Sequence, residues 1–162
     1  MTEQEKRKYR CCFTGHRPEK LTKSESVVKA DLEREIRKAI ADGMNVFISG
    51  MARGVDLWAA DIVLRLRDGG EPIKLICASP FEGFERSWNF DSQQLYADIM
   101  RRADLVRFIC SGYSRYCFQI RNEWMVDRAA RVIAVFNGKP SGTKNTIDYA
   151  NKVGVPICVI DG

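Results

Sequence analysis

Histidine is nearly absent: the 162 residues contain one, His16. A lone imidazole cannot build a histidine-rich metal site, and no Cys-x-x-Cys pair occurs to replace it. The chain has six cysteines. Cys11, Cys12, Cys77, Cys110 and Cys158 lie in or at the end of apolar runs, and Cys117 sits beside aromatics. That is the pattern of buried free thiols in a reducing, cytoplasmic compartment. A catalytic cysteine needs a nearby base, and His16 is the sole histidine on offer. No metal and no cofactor is therefore expected. Long apolar runs are missing as well: none approaches the roughly 18 residues that span a bilayer, so no membrane partner is expected. Residues 1–9 are polar and charged, the expected character of a short flexible tail rather than a signal peptide. No repeat, linker or low-complexity segment interrupts residues 10–162, which are expected to form a single domain.

The formal net charge is +5. This permits an anionic ligand or a nucleic acid without demanding either. The positive charges are dispersed; Lys6-Arg7-Lys8 and Arg101-Arg102 are the only tight clusters.

Six short apolar runs stand out: Arg10 to Thr14, Asn45 to Ser49, Ile73 to Ala78, Leu105 to Cys110, Arg131 to Phe136 and Pro156 to Ile160. Most lack the alternation of a half-exposed strand, as expected of strands covered on both faces of a parallel sheet. Helical stripes lie between them. Val28, Leu32, Ile36, Ala39 and Ile40 mark one, with a possible capping box at Thr22-Lys23-Ser24-Glu25 and a stop at Gly43. Val55, Ala59, Ile62, Val63 and Leu66 mark a second, stopped by Gly69-Gly70. Leu95, Ile99 and Ala103 mark a third. Phe118, Met125, Val126 and Ala129 mark a fourth, apolar over much of its surface and so expected to be well buried or to support a homodimer. Ile147, Ala150 and Val153 mark a short fifth. Alternating strands and helices predict an α/β Rossmann-like, doubly wound fold with a mostly parallel sheet of about six strands and helices on both faces.

Ligands of such sheets bind at the carboxyl ends of the strands, near the point where strand order reverses. Every strand-to-helix loop here is rich in Gly, Ser, Pro or Arg, whereas the loops at the other edge are plain turns. The Ser49-Gly50-Met51-Ala52-Arg53-Gly54-Val55-Asp56 stretch is the most unusual. A glycine turn feeding a helix N-terminus exposes amides beside a positive dipole end. Gly50 and Gly54 would let a phosphate or sugar approach the backbone. Arg53 would add a charged hydrogen bond, and Asp56 would cap the helix or accept from a ribose hydroxyl. Ser141-Gly142-Thr143 offers a second cradle, equally suited to ordinary N-capping. Gly15-His16-Arg17 supplies the imidazole and a further anion partner. Phe81, after Pro80, is a stacking candidate, while the tryptophans fit helix cores better. Arg121-Asn122, on the apolar fourth helix, would be costly to bury alone and is expected at the site edge.

Thr14-Gly15-His16-Arg17-Pro18, the Ser49 to Asp56 stretch, Arg121-Asn122-Glu123-Trp124-Met125-Val126-Asp127 and Gly142-Thr143 together resemble the YpsA-type branch of the SLOG superfamily. That superfamily includes the DNA-processing protein DprA (Smf) and the LOG-type enzymes. The Ser49 to Asp56 stretch is similar to the DprA core motif, and Arg121-Asn122 to its Arg-Asn pair. The resemblance spans nearly the whole chain. It implies a Rossmann-like fold and a nucleotide-related ligand. LOG phosphoribohydrolases carry Pro-Gly-Gly-x-Gly-Thr followed by a glutamate pair; here Asn145 and Thr146 stand where the carboxylates would be, so that hydrolysis is not expected. DprA proteins bind single-stranded DNA and carry further domains.

Three functions follow as expectations. The first is a sensor or regulatory domain for a nucleotide or nucleotide-sugar, such as an ADP-ribose-like ligand. The second is a hydrolase of N-glycosidic or phosphoester bonds, with His16, Asp56, Glu123 and Asp127 as catalytic candidates. The third is single-stranded nucleic-acid binding, for which the aromatics are not interleaved with a basic stripe.

Overall fold

The structure, a computed structural model, describes residues 1–162. Six strands form one sheet: β1 (Arg10–Gly15), β2 (Val46–Ser49), β3 (Lys74–Ser79), β4 (Leu105–Phe108), β5 (Arg131–Phe136) and β6 (Ile157–Asp161). The order across the sheet is β4-β3-β2-β1-β5-β6, and every neighbouring pair is parallel. The chain steps outward from β1 to β4, then returns to add β5 and β6 on the other side of β1. Strand order therefore reverses at the β1–β5 border, where Thr14 pairs with Ala134 and Gly15 with Val135.

Six helices accompany the sheet, α1 (Glu3–Arg7), α2 (Glu25–Ala41), α3 (Val55–Asp68), α4 (Phe90–Arg102), α5 (Cys117–Asp127) and α6 (Gly142–Val153); α1 is short and buries no residue. The period of two in the strands divides the core. Cys11, Phe13, Phe47, Leu75, Ile133 and Val135 point toward α2 and α3. Cys12, Ile48, Ala78, Val132 and Ala134 point toward α5 and α6. The inner strands β1, β2, β3 and β5 bury apolar side chains on both faces and so read as continuous apolar runs, whereas the edge strands β4 and β6 leave Leu105, Phe108 and Val159 exposed.

Three local expectations change. The tail is helical: Thr2 and Glu5 form a reciprocal capping box, and Arg7 Nε donates to the Ala129 carbonyl at 3.0 Å. The cap of α2 is Ser24, which accepts from the Val27 amide, and not Thr22; Glu25 pairs with Lys29 instead. Strand β4 is shorter than its apolar run, although the amides of Ile109 and Cys110 still donate to the Ser79 and Pro80 carbonyls. All six cysteines are free; burial pushes the Cys77 thiol up to about 12, which keeps it protonated.

Helix α3 approaches the end of β1 very closely. A Cβ on Gly15 would fall well inside contact distance of the Val55 side chain. Gly15→Ala is expected to lower stability by about 1–3 kcal/mol through overpacking, measured by urea denaturation. Unchanged stability would mean that α3 shifts freely.

Candidate functional site

A recess of about 420 Å³ opens at the β1–β5 border, on the carboxyl edge of the sheet. Thr14, Gly15, His16, Arg17 and Lys20 line it from the β1 side, Asn137, Lys139, Pro140, Ser141, Gly142 and Thr143 from the β5 side. Ala52 and Asp56 enter from the β2–α3 loop, and Phe118, Arg121 and Asn122 from α5. Arg17, Lys20, Arg121 and Lys139 face a single carboxylate, that of Asp56, so the recess favours an anion.

The Ser49 to Asp56 turn does something other than what its glycines suggest. Gly50 and Gly54 stand outside the lining. A Cβ on Gly50 would meet the Arg121 guanidinium at 3.0 Å, and one on Gly54 would meet Pro18 Cδ at 2.7 Å and the His16 carbonyl at 2.9 Å. Gly54 also has φ +95, a backbone that favours glycine. The two glycines admit the protein's own groups rather than a ligand. The turn also satisfies itself. Ser49 Oγ donates to the Asp56 carbonyl at 2.8 Å and accepts from the Met51 amide. At the start of α3, the Val55 amide reaches the His16 carbonyl, and Leu57 and Trp58 donate to Ala52 and Gly54. Little of this helix end is left for an anion.

Helix α6 behaves oppositely. Ser141 caps it by accepting from the Lys144 amide at 3.1 Å, and Asn145 donates to the Ser141 carbonyl. The amides of Gly142 and Thr143 find no acceptor in the chain, and both residues line the recess. The cap takes the third amide of the first turn and leaves the first two, those of Gly142 and Thr143, open to an anion.

Helix α5 packs Cys117, Met125 and Val126 into the core and carries polar residues inward beside them. It buries Arg121 and Asn122 and exposes Ile120 and Phe118. One local and one long-range bond hold Arg121 in place: its Nε donates to Asn122 Oδ1 at 2.8 Å, and its Nη1 donates to the Gly50 carbonyl. Nη2 has no protein acceptor. Asp56 is 5% exposed; its Oδ2 accepts from the Ala52 amide at 3.2 Å, and its Oδ1 is buried without a partner. Burial raises the Asp56 carboxyl to about 6, with Arg121 opposing the shift. Burial likewise lowers the Arg121 guanidinium from the ordinary arginine value. Both groups thus hold unspent hydrogen-bonding capacity at the wall of the recess.

His16 is fixed in one tautomer. Its Nε2 accepts from the Asn137 amide at 3.1 Å, so the proton sits on Nδ1. Its ring lies against Phe136, at 5.8 Å between centroids. Burial lowers its pKa, which keeps the ring neutral. It presents a donor and has no free basic nitrogen. Asn137 also donates from Nδ2 to the Lys20 carbonyl and accepts from the Lys139 amide, clasping the β1 and β5 loops together.

Of the other expected residues, Arg53 pairs with Glu19 at 2.6 Å and lines a separate recess. Pro80 and Phe81 lie outside the main recess; the Phe81 ring packs among Phe84, Tyr113 and Phe118, and Phe118 is the aromatic that reaches the wall. Glu123 accepts from Gln119 and Asp127 from the Tyr149 hydroxyl, both away from the recess. Asn137, Lys139 and Lys20 gave no signal as single residues, because their position depends on two loops meeting across the border.

The Asp56 shift has a defined sign. Its folded pKa lies above its unfolded value, so its contribution is complete below about pH 4 and is lost as pH rises through about 6. In the ligand-free protein, Asp56→Asn is expected to gain stability relative to wild type between pH 4.5 and 7.5, by up to about 3 kcal/mol. Paired urea titrations at the two pH values measure this difference; an equal difference at both pH values would refute a buried ionisable Asp56.

Comparison with known proteins adds three findings. A family model described as the YspA SLOG family (YpsA) matches residues 11–160. UPF0398 proteins of Bacillus cereus and Bacillus thuringiensis are each 30% identical over 131 residues, covering 78% of this chain and 71% of theirs. Two solved DprA structures share the fold. The Helicobacter pylori protein, described for its single-stranded DNA binding mode, superposes with a TM-score of 0.68 at 18% identity, over 99% of this chain and 68% of its own. The Streptococcus pneumoniae protein gives 0.67 at 21% identity, over 96% of this chain and 51% of its own. The family match, which takes in every strand of the sheet, leads to one conclusion: the chain belongs to the YpsA family of the SLOG group.

Proposed function

We propose that this protein binds a phosphate-bearing nucleotide or nucleotide-sugar in the β1–β5 recess, as a sensor or regulatory domain. One observation carries the reading: the recess wall holds complementary unspent groups, with the Gly142 and Thr143 amides and Arg121 offering donors and Asp56 Oδ1 offering a buried acceptor. A phosphate would take the donors. A sugar hydroxyl or base amine would satisfy Asp56, whose unpartnered oxygen is costly when the site is empty. Arg17 and Lys139, both at the rim, would add charge. An ADP-ribose-like molecule supplies both chemical types. The family membership and the DprA-like fold agree with a nucleotide or nucleic-acid ligand.

The alternatives fit less well. Two of the four catalytic candidates face away from the recess, and His16 has its basic nitrogen occupied. Asp56 alone would have to perform acid–base work. Single-stranded DNA, the ligand named for the Helicobacter protein, would need an open track of stacking rings. Here Phe81, Phe84, Tyr113 and Phe118 pack on one another, and the recess holds about one nucleotide by volume.

Calorimetric titration with AMP and adenosine tests the reading. AMP is expected to bind at about micromolar affinity and adenosine at least tenfold more weakly. Arg17→Ala and Lys139→Ala should each weaken AMP about three- to tenfold, consistent with one charged hydrogen bond apiece. Equal affinity for AMP and adenosine would refute the phosphate assignment. Affinity for oligo-dT that climbs with length and falls steeply with salt would instead identify a nucleic-acid binder.

A further inference from the structure

A second recess, of about 410 Å³, lies beside the first and is lined by Arg17, Arg53, Ser87, Trp88 and Asn89. Arg17 lines both recesses. The loops after β1, β2 and β3 build the second one, so it extends the site along the carboxyl edge, away from the strand-order reversal. Its walls are well held. Trp88 packs edge-on against Phe84 at 5.0 Å and Tyr96 at 5.6 Å, and Gln93 Nε2 donates to the Trp88 carbonyl at 2.7 Å. Asn89 caps α4 by accepting from the Ser92 amide. A fixed indole beside two guanidinium groups matches the chemistry of an aromatic ring joined to phosphate.

The two arginines already hold an anion of the protein's own. Glu19 Oε1 lies 2.6 Å from Arg53 Nη2 and 3.8 Å from Arg17 Nε. Arg53 holds the Glu19 carboxyl below the usual carboxylate range. Glu19 is half exposed and sits on the short 3-10 turn Pro18–Lys20, so its carboxylate can swing into solvent without disturbing the core.

Resting on the nucleotide reading of the first recess, we propose that the Arg17–Arg53–Trp88 recess is a second subsite for the same ligand, and that Glu19 is its built-in competitor. The ligand is then two-headed: two bulky halves joined through phosphate, as in a pyrophosphate-linked dinucleotide or nucleotide-sugar. One half occupies the β1–β5 recess. The phosphate link passes Arg17, and the second half lies by Trp88 with its phosphate displacing Glu19 from Arg53.

The experiment titrates the full chain with AMP as the one-headed probe and with ADP-ribose and NAD as two-headed probes. Wild type is expected to bind at least one two-headed probe tenfold or more tightly than AMP. Arg53→Ala should remove most of that advantage and leave AMP within twofold of wild type. Glu19→Gln, which keeps the side-chain shape and removes the charge, should increase the advantage threefold or more. Arg53→Lys serves as a second variant if Arg53→Ala unfolds, and should keep part of the advantage. AMP binding with no two-headed advantage, or an advantage that neither Arg53 nor Glu19 substitution changes, overturns the second subsite and leaves the first reading standing. Binding of neither AMP nor a two-headed probe overturns both.

Discussion

Arg121 is the residue through which the two layers of the molecule meet at the functional edge. Its helix, α5, lies on one face of the sheet, and α3 lies on the other. The guanidinium passes the carboxyl end of the strands and donates to the Gly50 carbonyl in the loop that leads to α3. Its charge then faces Asp56 on the first turn of α3. A buried cation is tolerable only if its donors are engaged and an opposite charge is near. Those two demands explain the Gly50 position, the Asn122 partner, and the burial of a polar pair on α5 beside Met125 and Val126. They also leave one guanidinium nitrogen and one buried carboxylate oxygen without a partner in the protein.

The two helix N-termini at this edge illustrate how hydrogen-bond accounting decides function. Both α3 and α6 begin after glycine-bearing turns, and both resemble anion cradles in sequence. In α3 the chain supplies its own acceptors, above all the His16 carbonyl, which Gly54 allows to come close. In α6 the Ser141 cap satisfies the later donors and leaves those of Gly142 and Thr143 open. A helix dipole attracts an anion only where the amides at its end remain free. The glycine-rich motif is thus a structural joint, and the plainer Ser-Gly-Thr turn is the open one.

Asn137 sets the spacing of the recess. Its backbone and side chain together contact His16, Lys20 and Lys139. The β1 and β5 loops are therefore held at one separation, and His16 is held neutral with its Nδ1 proton outward. Such an arrangement presents a donor rather than a base.

Much of this was legible in the chain itself. Strand positions followed from continuous apolar runs, because the inner parallel strands bury both faces. The positions of α2 to α6 followed from apolar stripes, and the edge that carries the recess from the uneven chemistry of the two loop sets. Arg121-Asn122 stood out as a polar pair on an apolar helix. What the chain alone left undetermined was partnership across distance. Whether Arg53 faces the ligand or Glu19, whether Phe81 stacks on a base or on neighbouring rings, and whether Glu123 enters the site all depend on helix rotation and on how closely loops approach. Those are properties of packing, to which residues far apart in sequence contribute equally. Sequence determined the elements and the edge at which chemistry collects; the tertiary structure decided which polar groups spend their hydrogen bonds on the protein and which keep them for something else.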